Sequence, residues 1–218
     1  MREFTVCEAP QRSEAWFQAR LGRATSSRAA DMLATLKSGG EAAGRRNYRV
    51  QLVLERLTGR SQERDYQSPA MLQGIEREAE ALAQYEAVTG ELVERIGFVA
   101  HATLMAGGSP DGVVGDGLVE AKCPLPATHL DTLKTGIVPG DYLKQIQHLL
   151  WVMGAPWCDW LSYNPDFPAS LRVKLVRVTM SQAERDSHEL LVRQFLREVQ
   201  DELDSVRQLQ GERDVCLV

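Results

Sequence analysis

The stretch GGSPDGVVGDGLVEAKCP, residues 107–124, contains the pattern that decides the fold of this chain. It predicts a β-hairpin, because a Gly-Asp-Gly turn at residues 115–117 joins two short segments, DGVVG and LVEAKC. Alternate side chains of a strand share a face, so Glu120 and Lys122 are expected to point to the same side. Folding about the turn brings Asp111 opposite the stretch around Glu120. The sequence therefore predicts three ionisable groups within a few ångströms of one another.

Charges placed in this way are typical of a metal-dependent active site. Two carboxylates as close as Asp111 and Glu120 repel each other unless a cation lies between them. Carboxylate oxygens select a hard ion such as Mg²⁺ or Mn²⁺. A lysine beside a metal-bound water can orient or deprotonate it, or can stabilise the charge that develops on a phosphate. The alternative is an exposed hairpin on which Glu120 and Lys122 form an ordinary surface ion pair, and the spacing alone does not exclude it.

A helix that precedes the hairpin offers a further carboxylate. The sequence predicts this helix over residues 69–89, between a Ser-Pro pair and a glycine. On a helical wheel Glu78 lies inside the apolar arc, beside Leu82 and Tyr85. An unpaired buried carboxylate is costly, so a partner is expected, and a metal ion would serve. Glu86 lies in the same arc, and the wheel by itself does not choose between the two glutamates.

A later helix, which begins at a Pro-Gly-Asp sequence and ends at Gly154, carries two polar side chains on one face. Tyr142, Gln145 and Leu149 are spaced i, i+3 and i+7, so a hydroxyl and an amide point wherever this helix packs. The alternative for both groups is a hydrogen bond to nearby backbone.

The rest of the chain completes a mixed pattern of helices and strands, without internal repeats. Its order predicts helices, a three-strand meander that includes the hairpin, a helix, two strands and a final helix. The further helices are expected over 14–20 capped by Ser13, 27–36 capped by Thr25 or Ser26, 48–59, and after a capping box of Ser181 and Glu184. The further strands are expected over 95–102, 158–163 and 171–178, and a flexible basic loop over 36–46.

Length and composition indicate one soluble domain. A chain of 218 residues with 44% hydrophobic content can bury one sizeable core, so a single domain over residues 1–218 is expected. Charged residues interrupt the apolar runs every few positions, and no apolar segment follows a basic start. We therefore expect no membrane span, no signal peptide and a cytoplasmic location. The four cysteines form no Cys-x-x-Cys pair, which argues against a zinc knuckle.

The charge is unevenly distributed along the chain. Residues 1–60 contain 11 Lys and Arg against 6 Asp and Glu, a balance of +5, so the overall −5 leaves −10 on the remaining residues. A basic first third beside an acidic remainder suits a protein that holds phosphate at one place and metal ions at another. Ordinary solvated surface charge is the alternative.

Taken in order, these motifs resemble a known family. The segments AWFQARLGRATSS, GIEREAEALAQYEAVTG, SPDG followed by EAKCP, YLKQIQHLLWVMG and YNPD are similar to those of the YqaJ-type nucleases, which include the exonuclease of bacteriophage lambda. The resemblance covers the chain from about Ser13 to Asp166. It implies a PD-(D/E)xK, restriction-endonuclease-like α/β (α+β) core, with a central mixed sheet of about five strands flanked by helices.

The resemblance also implies roles for individual residues. Asp111 and Glu120 would hold two Mg²⁺ ions, for which Mn²⁺ can substitute, and Lys122 would act on the attacking water. The further metal ligands would be Glu78, which the resemblance selects over Glu86, and the backbone carbonyl of Ala121. Tyr142 and Gln145 match catalytic positions near the metals. The positions that hold a DNA 5′-phosphate in the family are matched by Arg20, Ser27, Ser109 and again Gln145. A collective role along the DNA backbone would fall to Arg23, Arg28, Lys37, Arg45 and Arg46.

Free N–H groups at a helix start near Ser27 would suit a phosphate, although Ser27 can also be a simple helix cap.

The activity implied by the resemblance is 5′-to-3′ digestion of one strand of linear double-stranded DNA, which leaves 3′ single-stranded DNA. The family further implies a ring-shaped homotrimer on a DNA end. It also implies a single-strand annealing partner, in a phage or prophage recombination system of a bacterial host. One rival is a Cas4-like or helicase-associated nuclease, but these carry a four-cysteine iron–sulfur cluster, and this chain has one cysteine near its end. The other rival is a non-catalytic DNA-end-binding protein, against which the complete set of Asp111, Glu120 and Lys122 argues.

Overall fold

The hairpin of residues 107–124 lies within an α+β fold, which comprises two four-stranded sheets and seven α-helices over the described residues. The computed structural model describes residues 4–62 and 69–216. Within these residues the strands are β1 (Phe4–Cys7), β2 (Ala24–Thr25), β3 (Phe98–His101), β4 (Ala106–Gly108), β5 (Gly112–Val114), β6 (Gly117–Lys122), β7 (Trp157–Tyr163) and β8 (Val173–Thr179). The helices are α1 (Glu14–Arg20), α2 (Ala29–Met32), α3 (Ala43–Thr58), α4 (Pro69–Thr89), α5 (Pro126–Thr135), α6 (Gly140–Met153) and α7 (Gln182–Cys216).

The predicted hairpin is confirmed and forms half of a mixed sheet with the order β5-β6-β7-β8. Strand β5 pairs antiparallel with β6 so that Gly112 lies opposite Val119 and Val114 lies opposite Gly117. The two-residue turn begins at Gly115, whose φ of 58° is in the left-handed region that glycine adopts without strain. Strand β6 then pairs in parallel with β7, and β7 pairs antiparallel with β8. The hairpin register therefore places Asp111 beside Glu120.

The prediction of a three-strand meander is wrong for its first strand, which was expected over residues 95–102. Strand β3 does not continue the hairpin sheet but belongs to a second sheet with the order β1-β3-β4-β2. Glu94, before β3, forms an isolated bridge with Val113 in the hairpin. The short strands β1, β2 and β4 were not predicted, because segments of only two to four residues are too short to show an alternating pattern. The class and the mixed pairing agree with the sequence, while the strands divide between two sheets.

The two faces of β6 and β7 pack on different helices. Leu118 and Trp160 face α6 and pack with Ile146 and Leu149. Val119 and the residues that follow it on the same face pack against Leu82 and Tyr85 of α4. The alternation predicted for residues 118–123 is confirmed, and it directs Glu120 towards α6.

Helix predictions hold best where a cap is present. The Ser13 hydroxyl accepts a hydrogen bond from the Trp16 N–H at the start of α1. At the start of α7, Ser181 and Glu184 form the predicted capping box, with both bonds present. Helices α4 and α6 agree with their predicted bounds to within about two residues.

The predicted helix over 27–36 is wrong in extent. The chain forms a 3-10 turn over Ser26–Arg28 followed by the single turn of α2. Thr25 does not cap it, because its hydroxyl lies within hydrogen-bond distance of the hydroxyls of Tyr48 and Ser27. Helix α3 begins at Ala43, inside the expected loop. Helix α5 was not predicted. Among the described residues, no helix is long and apolar enough to cross a membrane.

A buried histidine pair joins α6 to α7 and gives the fold a pH dependence. His148 Nδ1 and His188 Nε2 are 3.1 Å apart, and both rings are at most 5% exposed. Burial lowers the pKa of His148, and it lowers the pKa of His188 from 6.5 to about 4. The fold therefore favours neutral rings, and this contribution to stability is complete above about pH 6.5 and is lost as the pH falls towards 4.

We expect His188→Gln to make the stability less sensitive to acid. For the unaltered protein the free energy of unfolding should fall by roughly 2–3 kcal/mol between pH 7 and pH 4.5 through this group. The measurement is urea unfolding at several pH values, with His101→Gln as a control, since His101 stacks on the same Trp151 ring. Parallel pH curves for the His188 variant and the unaltered protein would show that the pair does not carry the effect.

Candidate active site

Asp111, Glu120 and Lys122 converge as the hairpin predicts. The Lys122 ammonium Nζ lies 2.5 Å from Glu120 Oε1 and 3.9 Å from Asp111 Oδ2. The Ala121 N–H donates a hydrogen bond of 2.8 Å to Asp111 Oδ2, which fixes that carboxylate against β6. Glu120 is completely buried and Asp111 is 9% exposed. The alternative of an exposed hairpin with a surface ion pair is therefore wrong.

The electrostatics of these three groups depend on their burial. Burial raises the pKa of Asp111, and the neighbouring Glu120 carboxylate raises it further. Burial likewise raises the pKa of Glu120, although Lys122 opposes the shift. Burial alone would lower the pKa of Lys122, but the two carboxylates outweigh it and raise that pKa. In the absence of another cation, Lys122 is therefore a protonated ammonium that balances the buried negative charge.

Helix α6 brings its two predicted polar residues to this cluster. The Gln145 amide Nε2 donates a hydrogen bond of 2.5 Å to Glu120 Oε1. The Tyr142 ring centroid lies 5.8 Å from Lys122 Nζ, and the ring stacks on Trp160 at 6.0 Å. Gln145 therefore orients Glu120, while Tyr142 packs over the lysine.

Glu78 is close to the cluster but is directed to another partner. Its Oε1 accepts a hydrogen bond of 2.7 Å from Arg95, which sequence analysis did not identify. Glu86 Oε1 accepts a hydrogen bond from the Val93 N–H at 2.8 Å, so this second glutamate stabilises the chain after α4. Within residues 4–62 and 69–216, no three His, Cys, Asp or Glu side chains form a ready metal-binding group. The role of Glu78 as a metal ligand stays a prediction, as does that of the Ala121 carbonyl.

The residues present nevertheless fit a divalent metal ion. Glu120 Oε2 is buried and has no hydrogen-bond partner among the residues that the structure describes, whereas Oε1 accepts from Lys122 and Gln145. An unsatisfied buried carboxylate oxygen is costly, and a hard cation is the partner that carboxylates prefer. Asp111 and Glu120 are therefore the pair that could hold such an ion.

The predicted phosphate-binding residues form a second group next to the first. The Arg20 guanidinium Nη2 lies 3.3 Å from Ser27 Oγ and stacks over the Trp16 ring at 4.1 Å. Trp16 Nε1 in turn donates a hydrogen bond of 3.0 Å to Ser109 Oγ. Because Ser109 lies two residues before Asp111, the group is directly joined to the carboxylate pair.

Close backbone packing at the end of β4 positions this second group. A Cβ at Gly108 would lie 2.6 Å from Ser26 Oγ and 2.6 Å from a Leu149 methyl carbon, so a larger residue there would force these side chains to move. The 3-10 turn that carries Ser27 therefore packs on the strand that leads to Ser109.

The remaining basic residues are mostly engaged within the fold. Arg23 donates hydrogen bonds to backbone carbonyls of Ala19 and Leu104, and Arg28 pairs with Asp31. Arg45 forms ion pairs with Glu41 and Glu198. Lys37 and Arg46 are exposed. Much of the positive charge of the first third is thus balanced internally, and the collective DNA-contacting role of these five residues stays a prediction.

Comparisons with known proteins agree with this arrangement. Residues 15–156, more than half of the chain, match the family model of the YqaJ-like viral recombinase domain. No curated protein sequence matches the chain significantly. An alkaline exonuclease from Laribacter hongkongensis, LHK-Exo, is 38% identical, with a TM-score of 0.83 over 92% of this chain and 99% of that one. Its complex with dAMP matches with the same values.

A phage-related exonuclease from Haemophilus somnus 129PT shares the fold at 12% identity. Its TM-score is 0.65, over 84% of this chain and 96% of that chain. The family match and the 38% identical structure support the same conclusion as the arrangement of Asp111, Glu120 and Lys122. The chain belongs to the YqaJ-like viral recombinase family and is an exonuclease.

Proposed function

We propose that this exonuclease is a Mg²⁺-dependent deoxyribonuclease that digests one strand of linear double-stranded DNA from 5′ to 3′. Its product is duplex DNA with a 3′ single-stranded end. The observation that carries the proposal is the buried cluster of Asp111, Glu120 and Lys122, in which Glu120 Oε2 finds no partner within the described part of the chain. The dAMP complex of the 38% identical exonuclease supports a deoxynucleotide as the product class.

Each residue of the cluster has a distinct part in this chemistry. Asp111 and Glu120 would hold Mg²⁺, with Glu78 and the Ala121 carbonyl as further ligands. When bound, the ion would lower the pKa of a water molecule and offset negative charge on the phosphate. Lys122 places its ammonium group beside the same two carboxylates, where it would stabilise the charge that develops on the reacting phosphate. Gln145 holds Glu120 in position through Oε1, which leaves Oε2 for the metal.

Strand polarity is the finer part of the proposal and has a direct test. A linear duplex is labelled on the 5′ end of one strand in one sample and on the 3′ end in another, and is incubated with Mg²⁺. We expect the 5′ label to be released early as a mononucleotide and the 3′ label to remain on a long strand. Early release of the 3′ label would reverse the proposed polarity. Intact strands in both samples would favour the non-catalytic DNA-end-binding alternative.

Replacement of Mg²⁺ by Ca²⁺ should separate DNA binding from cleavage. Ca²⁺ is larger and accepts looser geometry, so it can balance Asp111 and Glu120 without placing water for attack. We expect duplex binding in Ca²⁺ to be within a few-fold of that in Mg²⁺, while hydrolysis is slower by at least about a hundredfold. The measurements are fluorescence anisotropy with labelled duplex and release of mononucleotides. Similar rates of hydrolysis in the two ions would contradict the proposed role of the metal.

The proposal extends to assembly and partners through the family resemblance. We propose a ring-shaped homotrimer that encircles a DNA end, and a single-strand annealing protein that receives the exposed strand. The setting would be the cytoplasm of a bacterial host, with a phage or prophage gene. Sedimentation analysis tests the assembly, since a trimer of a 24.3 kDa chain differs clearly in mass from a monomer or dimer.

A further inference from the structure

The ion pair between Glu78 and Arg95 links the candidate metal site to the surface. Arg95 Nη1 lies 2.7 Å from Glu78 Oε1, and the side chains are 51% and 24% exposed, respectively. Glu78 is thus partly buried, whereas its partner comes from the solvent side. The two residues belong to different elements, since Glu78 is on α4 and Arg95 lies in the connection to β3.

The charge of Glu78 acts on the cluster even though it forms no described hydrogen bond there. Its carboxylate contributes to the raised pKa of both Asp111 and Glu120, so the three groups are near enough to interact. A third negative charge near two buried carboxylates is unfavourable unless a cation balances it. In the structure two cations balance this charge: Lys122 forms an ion pair with Glu120, and Arg95 forms one with Glu78.

The surroundings of Arg95 leave room for this ion pair to open. Glu78 and Arg95 line a cavity of about 390 Å³ together with Arg12 and Gln11, which are exposed. An arginine side chain at such a surface loses little when it exchanges one partner for water. Release of Glu78 therefore requires no rearrangement of the core.

We propose that Arg95 is a positioning residue that holds Glu78 away from Asp111 and Glu120 until a divalent metal ion displaces it. The inference rests on the proposed metal-dependent function and adds a residue that competes with the metal for Glu78. Arg95 thereby offsets the negative charge of the metal-free site. It also weakens metal binding, because the free energy of its ion pair with Glu78 must be lost before the metal can bind that carboxylate.

The test is direct measurement of Mn²⁺ binding in the absence of DNA. Free Mn²⁺ is followed by electron paramagnetic resonance during titration of the full chain. We expect Arg95→Ala to bind Mn²⁺ about three- to tenfold more tightly than the unaltered protein, because Glu78 no longer has a competing partner. Arg95→Lys, which keeps the charge, should return most of the way to the unaltered affinity. In a Glu78→Gln background, Arg95→Ala should change the affinity by less than about twofold.

A matched control comes from another surface ion pair. Arg193 and Glu189 are also 2.7 Å apart, with exposed fractions of 46% and 37%, and they lie on α7. Arg193→Ala should leave Mn²⁺ affinity unchanged, which separates the loss of any surface ion pair from the loss of this one.

Two outcomes would overturn the inference in distinguishable ways. If the unaltered protein binds Mn²⁺ and Arg95→Ala binds it equally or more weakly, Arg95 does not restrain Glu78, and the proposed function is unaffected. If the unaltered protein binds no Mn²⁺, the metal-dependent function fails and the inference fails with it. A thermal unfolding curve of each variant without metal accompanies the titration, so that an unfolded variant is recognised and replaced by Arg95→Gln, which faces the same two criteria.

Discussion

Replacement of Asp111 by asparagine should lower the rate of duplex digestion by at least about a thousandfold, while the metal-free protein stays as stable as before or becomes more stable. The loss of activity follows from the loss of a carboxylate in the pair that would hold the metal. The stability is expected because burial and the adjacent Glu120 raise the pKa of Asp111, so the ionised form is disfavoured in the fold. The amide oxygen of asparagine can still accept the hydrogen bond from the Ala121 N–H.

Lys122→Met is the informative counterpart, because its effect on stability has the opposite sign. The lysine ammonium pairs with the fully buried Glu120 carboxylate at 2.5 Å, and its removal leaves that carboxylate without a cation. We expect the same loss of cleavage together with a drop of about 1–3 kcal/mol in the free energy of unfolding of the metal-free protein. The rates come from digestion of a uniformly labelled duplex, and the stabilities from urea unfolding in the presence of a chelator.

The two variants together separate catalysis from folding. A protein that is stable but inactive with Asn at position 111 cannot owe its inactivity to unfolding. Near-normal digestion by either variant would show that the cluster of Asp111, Glu120 and Lys122 does not take part in hydrolysis. A strongly destabilised Asp111→Asn protein would show that the carboxylate is structural and that its ionised form stabilises the fold.

The carboxylate pair of the candidate active site could be predicted because its geometry depends on local rules. A two-residue turn fixes the register of the hairpin, and register fixes that Asp111 lies beside Glu120 and that Glu120 and Lys122 share a face. The i, i+3 spacing of Tyr142 and Gln145 predicted their common direction for the same reason. Packing between distant segments decides which helix lies against the face of β6 that carries Glu120. Only the family resemblance indicated that this helix is α6.

Other features depend on tertiary contacts that leave no sequence pattern. Arg95 pairs with Glu78 across 17 positions, and nothing in the residues around Arg95 distinguishes it from an ordinary surface arginine. The ion pair between Arg45 and Glu198 joins residues 153 positions apart, and the periodicity of the sequence could not predict it either. Charge balance over residues 1–60 consequently overstates the positive charge that is available to DNA.

Arg20 is the basic residue whose surroundings best suit a terminal phosphate, and its prediction concerns the 5′ end of the substrate. The guanidinium lies beside Ser27 Oγ and over the Trp16 ring, and Trp16 bonds Ser109 two residues before Asp111. A phosphate held here would place the first phosphodiester near the carboxylate pair. We therefore expect a linear duplex with 5′-phosphate ends to be digested about ten- to a hundredfold faster than one with 5′-hydroxyl ends, the cost of one charge-assisted contact.

Variants at Arg20 assign that preference to the residue. Arg20→Ala should reduce the ratio between the two substrates to within about twofold, and Arg20→Lys should restore only part of it, because lysine lacks the bidentate fork. Arg46→Ala is the control, since this exposed arginine on α3 would contact the DNA backbone and slow both substrates equally. The rates are measured in single-turnover digestion, so that release of product does not hide the first step.

The comparison of substrates is decisive because the two duplexes differ only at the terminal group. Backbone contacts, metal binding and Lys122 act on both alike, so a difference in rate reports a site for the 5′-phosphate itself. Equal rates for the unaltered enzyme would show that no phosphate pocket guides the reaction, and Arg20 would then serve mainly to pack against Trp16. A preference that survives in Arg20→Ala would place the pocket elsewhere, with Ser27 and Ser109 losing their assigned partner. Loss of the preference in Arg20→Ala, with the slower substrate digested at its usual rate, would identify Arg20 as the residue that positions the DNA end.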